Sequence, residues 1–100
     1  MQNYKEIYTI TTLRKDIRDP NRCVGYYFDL DKAIQAVHEN YGDICENGYY
    51  PYCVIESIKE GIYALKRTEY WFKWNDDQEY YQRLNEKPDQ FHMRVCFGIG

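Results

Sequence analysis

The residues best suited to binding a ligand lie in an aromatic run at positions 70–74, YWFKW. Side chains alternate between the two faces of a β-strand, so Phe72 is expected on a core face and Trp71 and Lys73 on the opposite face. An exposed Trp71 near Arg67 and Lys73 would be placed to stack a nucleobase or to grip a protein. The alternative is that Trp71 packs beneath the C-terminal tail.

A second group of candidates lies in the basic loop at 14–22, RKDIRDPNR. Its arginines could hold a phosphate or an acidic partner, but Asp16 and Asp19 interleave with them, which favours a solvated loop. The sharper hypothesis is a site for a nucleotide-like anion, in which aromatic rings stack the base and cations hold the phosphate. The predicted ligand-binding residues are Trp71, Lys73, Arg67, Tyr50, Arg18 and Arg22.

Tyrosine is the most abundant aromatic residue, with 12 in the chain. It is enriched at protein interfaces because it supplies contact area at little cost in conformational entropy. The tyrosines near the predicted turns therefore indicate self-association, with a homo-oligomer as the expected state. The alternative is a ligand pocket lined by the same rings. They are Tyr49, Tyr50, Tyr52, Tyr80 and Tyr81.

No residue pattern predicts a catalytic or metal site. The only histidines, His38 and His92, show no metal-ligand spacing, and the four cysteines include no C-x-x-C pair, which predicts reduced thiols in the core. The acidic cluster at 76–79 is typical of a hairpin turn and lacks the spacing of a calcium loop. The segments GIY (61–63) and FGIG (97–100) are too short or too isolated to indicate a nuclease or a phosphate loop. We therefore expect no cofactor and no catalytic residue, with a small metal-independent hydrolase as the remaining enzymatic alternative.

Composition limits the classes of protein to consider. One hundred residues with 44% hydrophobic content and three prolines predict one globular domain over 1–100. The net charge is −3, which argues against binding duplex nucleic acid or an anionic membrane. No apolar run approaches the length of about 20 residues that spans a bilayer, and the N-terminus does not resemble a signal peptide. A cytoplasmic location is expected.

These candidates must be positioned by a scaffold that the stretch from Cys23 to Cys45 organises. Leu30, Ala33, Ile34 and Val37, extended to Tyr41, recur at helical spacing and form one apolar face. The sequence predicts an N-cap at Asp29 and a left-handed helix terminus at Gly42. Because the helix has only one apolar face, it needs a sheet to lie on.

The rest of the chain supplies predicted strands. They lie at 4–13, which we expect to be an interior strand covered on both faces, and at 24–28, 52–58 and 79–84. A further strand is predicted within 62–74, where the pattern is strongest over 69–74. Positions 87–89 could open one helical turn, and 95–100 could form an edge strand or a tail tucked against the sheet. The expected fold is α+β: a mostly antiparallel sheet of about five strands with one main helix on a face, in the order β-β-α-β-β-β.

The chain resembles small uncharacterised proteins of Firmicutes, related gut bacteria and their phages in six segments: YTITTLR (8–14), CVGYYFDLDKAIQAV (23–37), GDICENGYYPYCVIE (42–56), GIY (61–63), YWFKWN (70–75) and FGIG (97–100). The resemblance spans nearly the whole chain and brings no activity, cofactor or catalytic residue with it. It implies an intracellular domain, often carried on mobile elements, with a role in phage–host conflict.

We therefore expect a non-catalytic binding protein, a phage or mobile-element factor that sequesters a nucleotide-like signalling ligand. The alternative is a protein that inhibits or regulates a host defence protein.

Overall fold

The computed structural model describes residues 6–62 and 68–99, and they form an α+β fold. The strands are β1 (Glu6–Leu13), β2 (Arg22–Tyr27), β3 (Tyr52–Lys59), β4 (Glu69–Asn75) and β5 (Tyr80–Arg83), and the helix is α1 (Leu30–His38). Short 3-10 turns occupy Tyr41–Asp43 and Asp89–Phe91. The predicted order of elements and the predicted fold class are confirmed.

All five strands join one antiparallel sheet in the order β2-β1-β3-β4-β5. The interior position predicted for the first strand is confirmed, because β1 pairs with β2 on one side and with β3 on the other. Every residue from Thr9 to Leu13 is buried, so both faces of β1 are covered. β2 and β5 are the two edges of the sheet.

The helix α1 covers one face of the sheet, which we call the helix face. Ala33, Ala36 and Val37 pack there onto Ile55 and Phe72. As predicted, Asp29 caps the helix: its carboxylate accepts the backbone N–H groups of Asp31 at 2.8 Å and Lys32 at 3.3 Å.

The predicted end of the helix at Gly42 is wrong. The helix stops at His38, and Asn40 takes the left-handed conformation with φ 53° and ψ 50°. Asparagine tolerates this conformation, and its side-chain oxygen accepts the Cys45 N–H at 3.0 Å, which stabilises the turn. Tyr41 consequently leaves the apolar face of the helix and is exposed.

The opposite face of the sheet, which we call the tail face, is covered by the C-terminal part of the chain. Its buried cluster comprises Leu13, Val54, Trp71, Phe91 and Phe97. Residues 95–99 form a tail against this face rather than an edge strand, which decides between the two predicted alternatives. The turn at Asp89–Phe91 follows Pro88, close to the helical turn predicted there.

Candidate binding surfaces

Trp71 is buried, which corrects the expectation that it faces solvent or a ligand. Its side chain lies on the tail face, as the alternation along β4 predicts, but only 3% of the residue is exposed. The indole stacks on Phe91 with ring centroids 5.1 Å apart and meets the edge of Phe97 at 5.2 Å. Its N–H donates to Glu69 at 3.0 Å. Both the faces and the polar edge of the ring are therefore in contact with this chain, as the alternative of packing beneath the tail requires.

The two arginines predicted to hold a phosphate each contact a carboxylate of the same chain. Arg18 lies 2.7 Å from Asp16, and Arg22 lies 2.5 Å from Glu46. Both pairs are solvent-exposed, so each is worth little to stability, but each lowers the local positive potential. This arrangement matches the solvated-loop alternative for residues 14–22.

The remaining predicted ligand residues do not complete an anion site. The carbonyl of Tyr50 accepts the Tyr81 hydroxyl at 2.6 Å, and Lys73 is an exposed cation 5.9 Å from the ring of Tyr52. Arg67 lies outside the described residues. Two strands separate β2, which carries Arg22, from β4, which carries Lys73 and Trp71. That spacing corresponds to about 14 Å at the usual distance between strands.

A cavity of about 250 Å³ borders Trp71, and the cations Arg83 and Lys87 in its lining are balanced by two carboxylates. Glu69 and Glu86 are among its lining residues, and Glu69 forms an ion pair with Lys87 at 3.1 Å. Of the other predicted ligand residues that the structure describes, none lines this cavity; they are Lys73, Tyr50, Arg18 and Arg22.

The predicted tyrosine surface is divided by the fold. Tyr49 is exposed and lies under the Arg14 guanidinium, which is 3.9 Å from its ring centroid. Tyr81 is fully buried in the core of the helix face, so it is not part of a surface, which corrects that part of the prediction. Tyr80 is half-buried, and its ring lies 4.9 Å from the ring of His38 at the end of α1.

The cysteines and histidines do not form an activated nucleophile. Burial raises the pKa values of the Cys45 and Cys53 thiols, which reduces the thiolate fraction that attacks a substrate. Cys23 is exposed, so the prediction of a core position is wrong for this cysteine. His38 contacts the Tyr81 carbonyl at 3.3 Å, and His92 contacts the Lys87 carbonyl at 3.0 Å.

Over residues 6–62 and 68–99, no group of three or more His, Cys, Asp or Glu side chains is arranged to hold a metal ion.

The largest exposed apolar side chains of the sheet lie along its β2 edge. Val24, Tyr26 and Phe28 are exposed, with Phe28 at 71%, and the Tyr26 ring meets the Phe28 ring edge-on at 5.6 Å. The register shifts between Ile10 and Thr11 of β1, so a bulge in β2 falls at Val24. Beside the strand, a groove of about 160 Å³ runs towards Tyr41. We call Val24, Tyr26, Phe28 and Tyr41 the β2 edge surface.

A second feature that the sequence analysis did not identify is a carboxylate in the interior. Glu56 of β3 is fully buried on the tail face and accepts the backbone N–H groups of Phe97 and Gly98. One signal in the sequence could have pointed to it. Glu56 interrupts the apolar strand Tyr52–Lys59, and an ionised side chain in an interior strand requires dedicated hydrogen-bond donors.

Comparison with protein-family models, curated protein sequences and solved structures yields no significant match. Within the described part of the chain, no helix has the length and apolar character needed to cross a membrane.

Proposed function

We propose that the chain is a non-catalytic binding protein that acts as a homodimer, joined by antiparallel pairing of β2 with the β2 strand of a second copy. The observation that carries this proposal is the β2 edge surface. Among the described residues no strand pairs with the outer side of β2, and Val24 and Tyr26 on this strand are large apolar side chains exposed to solvent. Such an edge is a ready template for adding another strand.

A second copy fits this edge because the charges at the two ends of β2 are opposite. Arg18 and Arg22 lie at the start of the strand, and Asp29 and Asp31 follow its end. Antiparallel pairing around a two-fold axis brings the basic end of each copy to the acidic end of the other. The Arg22–Glu46 pair is exposed on both sides, so Arg22 can exchange partners at little cost.

The target of this dimer is proposed to be a host protein rather than a nucleotide. The burial of Trp71 removes the residue on which base stacking depended, and both loop arginines already contact carboxylates. The resemblance to phage and mobile-element proteins supports a role as an inhibitor or regulator of a host protein.

Light scattering coupled to size-exclusion chromatography tests the assembly. We expect a mass twice the 12.2 kDa of the chain at micromolar concentration. Pairing Arg22 of each copy with Asp29 or Asp31 of the other would place the two-fold axis near position 26. Tyr26→Lys should therefore give a monomer, because the two lysines would face each other. Met93→Lys adds the same charge at a residue that is 95% exposed in a loop, and should leave the dimer intact.

Hydrogen exchange of the β2 amides identifies the interface. Protection of these amides in the wild-type protein, and its loss in Tyr26→Lys, would support pairing along β2. A monomer at every concentration, or a dimer that Tyr26→Lys does not alter, would overturn the proposal. Hydrolysis of phosphodiester substrates by the pure protein would overturn its non-catalytic part.

A further inference from the structure

The main chain of the C-terminal tail is bound by side chains in the way that a peptide ligand is. The Phe97 N–H lies 3.2 Å from each carboxylate oxygen of Glu56, and the Gly98 N–H lies 2.8 Å from one of them. The Asn21 amide donates to the Phe97 carbonyl at 3.4 Å. Two backbone donors and one acceptor of the dipeptide are thus satisfied by side chains of distant segments.

The side chain of Phe97 fills an aromatic slot. Only 5% of the residue is exposed, and its ring makes T-shaped contacts with Trp71 and Phe91, with ring centroids 5.2 Å and 6.2 Å away. The Lys87 ammonium and the Arg94 guanidinium lie 5.2 Å and 5.3 Å from the ring centroid. Edge-to-face contacts and nearby cations both favour an aromatic ring at this position.

The next position accepts only glycine without rearrangement. A Cβ atom on residue 98 would lie 3.0 Å from Thr9 Oγ1 and 3.1 Å from Thr11 Oγ1. Both threonines are buried on β1, and their branched side chains have little freedom to move aside. Thr11 Oγ1 is also a buried polar atom with no hydrogen-bond partner among the described residues. The site therefore selects for phenylalanine followed by glycine.

We propose that the tail face carries a recognition site for an extended Phe–Gly segment, which the chain's own Phe97 and Gly98 occupy in this structure. A Phe–Gly segment of another protein binds the same site by displacing the tail. The tail is not part of the sheet, so its release leaves all five strands paired. The phenylalanine ring of this ligand would pack against Trp71 and Phe91, and its backbone N–H groups would donate to Glu56. Thr9 and Thr11 would leave room only for glycine at the next position. This proposal does not depend on dimerisation along β2.

Peptide binding to the full chain with the Phe97→Ala substitution tests the proposal, because this substitution empties the aromatic slot. The probe is the peptide VSFGIG, which copies residues 95–100 with serine in place of Cys96. Binding is followed in nitrogen–proton correlation spectra through the indole N–H signal of Trp71. We expect a saturable shift of this signal. The matched peptide VSFAIG should bind at least about tenfold more weakly, because its added methyl group meets Thr9 and Thr11.

The wild-type chain provides a second test, which does not depend on a substituted chain folding correctly. Its own tail competes at an effective concentration on the order of millimolar, so VSFGIG should bind it more weakly than it binds the Phe97→Ala chain. Saturating peptide should nevertheless speed hydrogen exchange at the chain's own Phe97 and Gly98 amides, and VSFAIG should not. Equal binding of the two peptides, or no displacement of the tail at millimolar VSFGIG, would overturn the proposal.

Discussion

The carboxylate of Glu56 accepts the backbone N–H of Gly98 at 2.8 Å across 42 positions of sequence. This hydrogen bond joins an interior strand of the sheet to the tail. It holds Gly98 against Thr9 and Thr11, and it holds Phe97 in contact with Trp71. The packing of the tail face therefore depends on both the acceptor at position 56 and the absence of a side chain at position 98.

Gly98→Ala should destabilise the protein by about 1–3 kcal/mol, the usual cost of forcing an extra carbon into a packed site. The added methyl group would meet both threonine hydroxyls of β1. Gly25→Ala is the matched control, since a Cβ there would have nothing within 4 Å. Urea denaturation monitored by circular dichroism measures both variants. Equal urea midpoints for Gly98→Ala and Gly25→Ala would show that Gly98 does not pack closely against Thr9 and Thr11 in solution.

Glu56→Ala should cost roughly 2–4 kcal/mol, because it leaves two backbone N–H groups without their carboxylate acceptor in a buried site. Glu56→Gln retains one acceptor oxygen in a side chain of the same size, and should cost less than Glu56→Ala. Chemical denaturation gives the free energies of unfolding. Hydrogen exchange at Phe97 and Gly98 should be the first local change in both variants. The same loss in Glu56→Ala and Glu56→Gln would argue against recognition of the tail amides by this side chain.

Trp71→Ala should lower the free energy of unfolding by about 3–5 kcal/mol, as for other large buried aromatic residues. The indole packs between Phe91 and Phe97, so its removal leaves a cavity under the tail. Lys73→Ala, two positions along the same strand but exposed, should change stability little. Thermal unfolding of the two variants measures the difference. A melting temperature for Trp71→Ala close to the wild-type value would restore Trp71 as a candidate surface residue.

Local patterns in the sequence were sufficient to predict the fold class and the order of elements. The 3.6-residue spacing of Ala33 and Val37 marks the helix, and Asp29 marks its start. The end of the helix was mispredicted because Asn40 and Gly42 both suit a left-handed conformation, and both have positive φ here. Sequence alone does not decide which of two such residues ends the last helical turn.

The candidate site was harder to predict because it depends on contacts between distant segments. Alternation along β4 places Trp71 opposite the helix, but its burial requires Phe91 and Phe97 to fold back over the sheet. Likewise, Glu56 gains its donors from residues 97 and 98, which no local period connects with β3. Arg18 and Asp16 are two positions apart, and their interleaving was visible in the sequence.

The pKa of Asp16 should lie at about 2, because the Arg18 side chain and backbone N–H donate hydrogen bonds to its carboxylate. The native pKa is below that of the unfolded chain, so the ionised carboxylate favours the folded state above the unfolded pKa. This contribution is lost as the pH falls through the native value. A carbon-detected NMR titration of the Asp16 carboxyl measures the midpoint. In Arg18→Ala the midpoint should rise towards the ordinary aspartate value of 3.8. A midpoint that does not change would mean that the Arg18 pair is absent in solution.

Cys23 should differ sharply in reactivity from Cys45 and Cys53. Cys23 is exposed on β2, whereas Cys45 and Cys53 are 1% and 0% exposed and burial raises the pKa of each. Iodoacetamide at neutral pH should therefore modify Cys23 in the native protein and leave Cys45 and Cys53 intact, as peptide mass mapping would show. Modification of all four in urea is the control for intrinsic reactivity. Because Cys23 lies on the strand proposed to pair with a second copy, its rate should rise in the Tyr26→Lys variant. Native modification of Cys53 at the rate of Cys23 would contradict the packing of the core between α1 and β3.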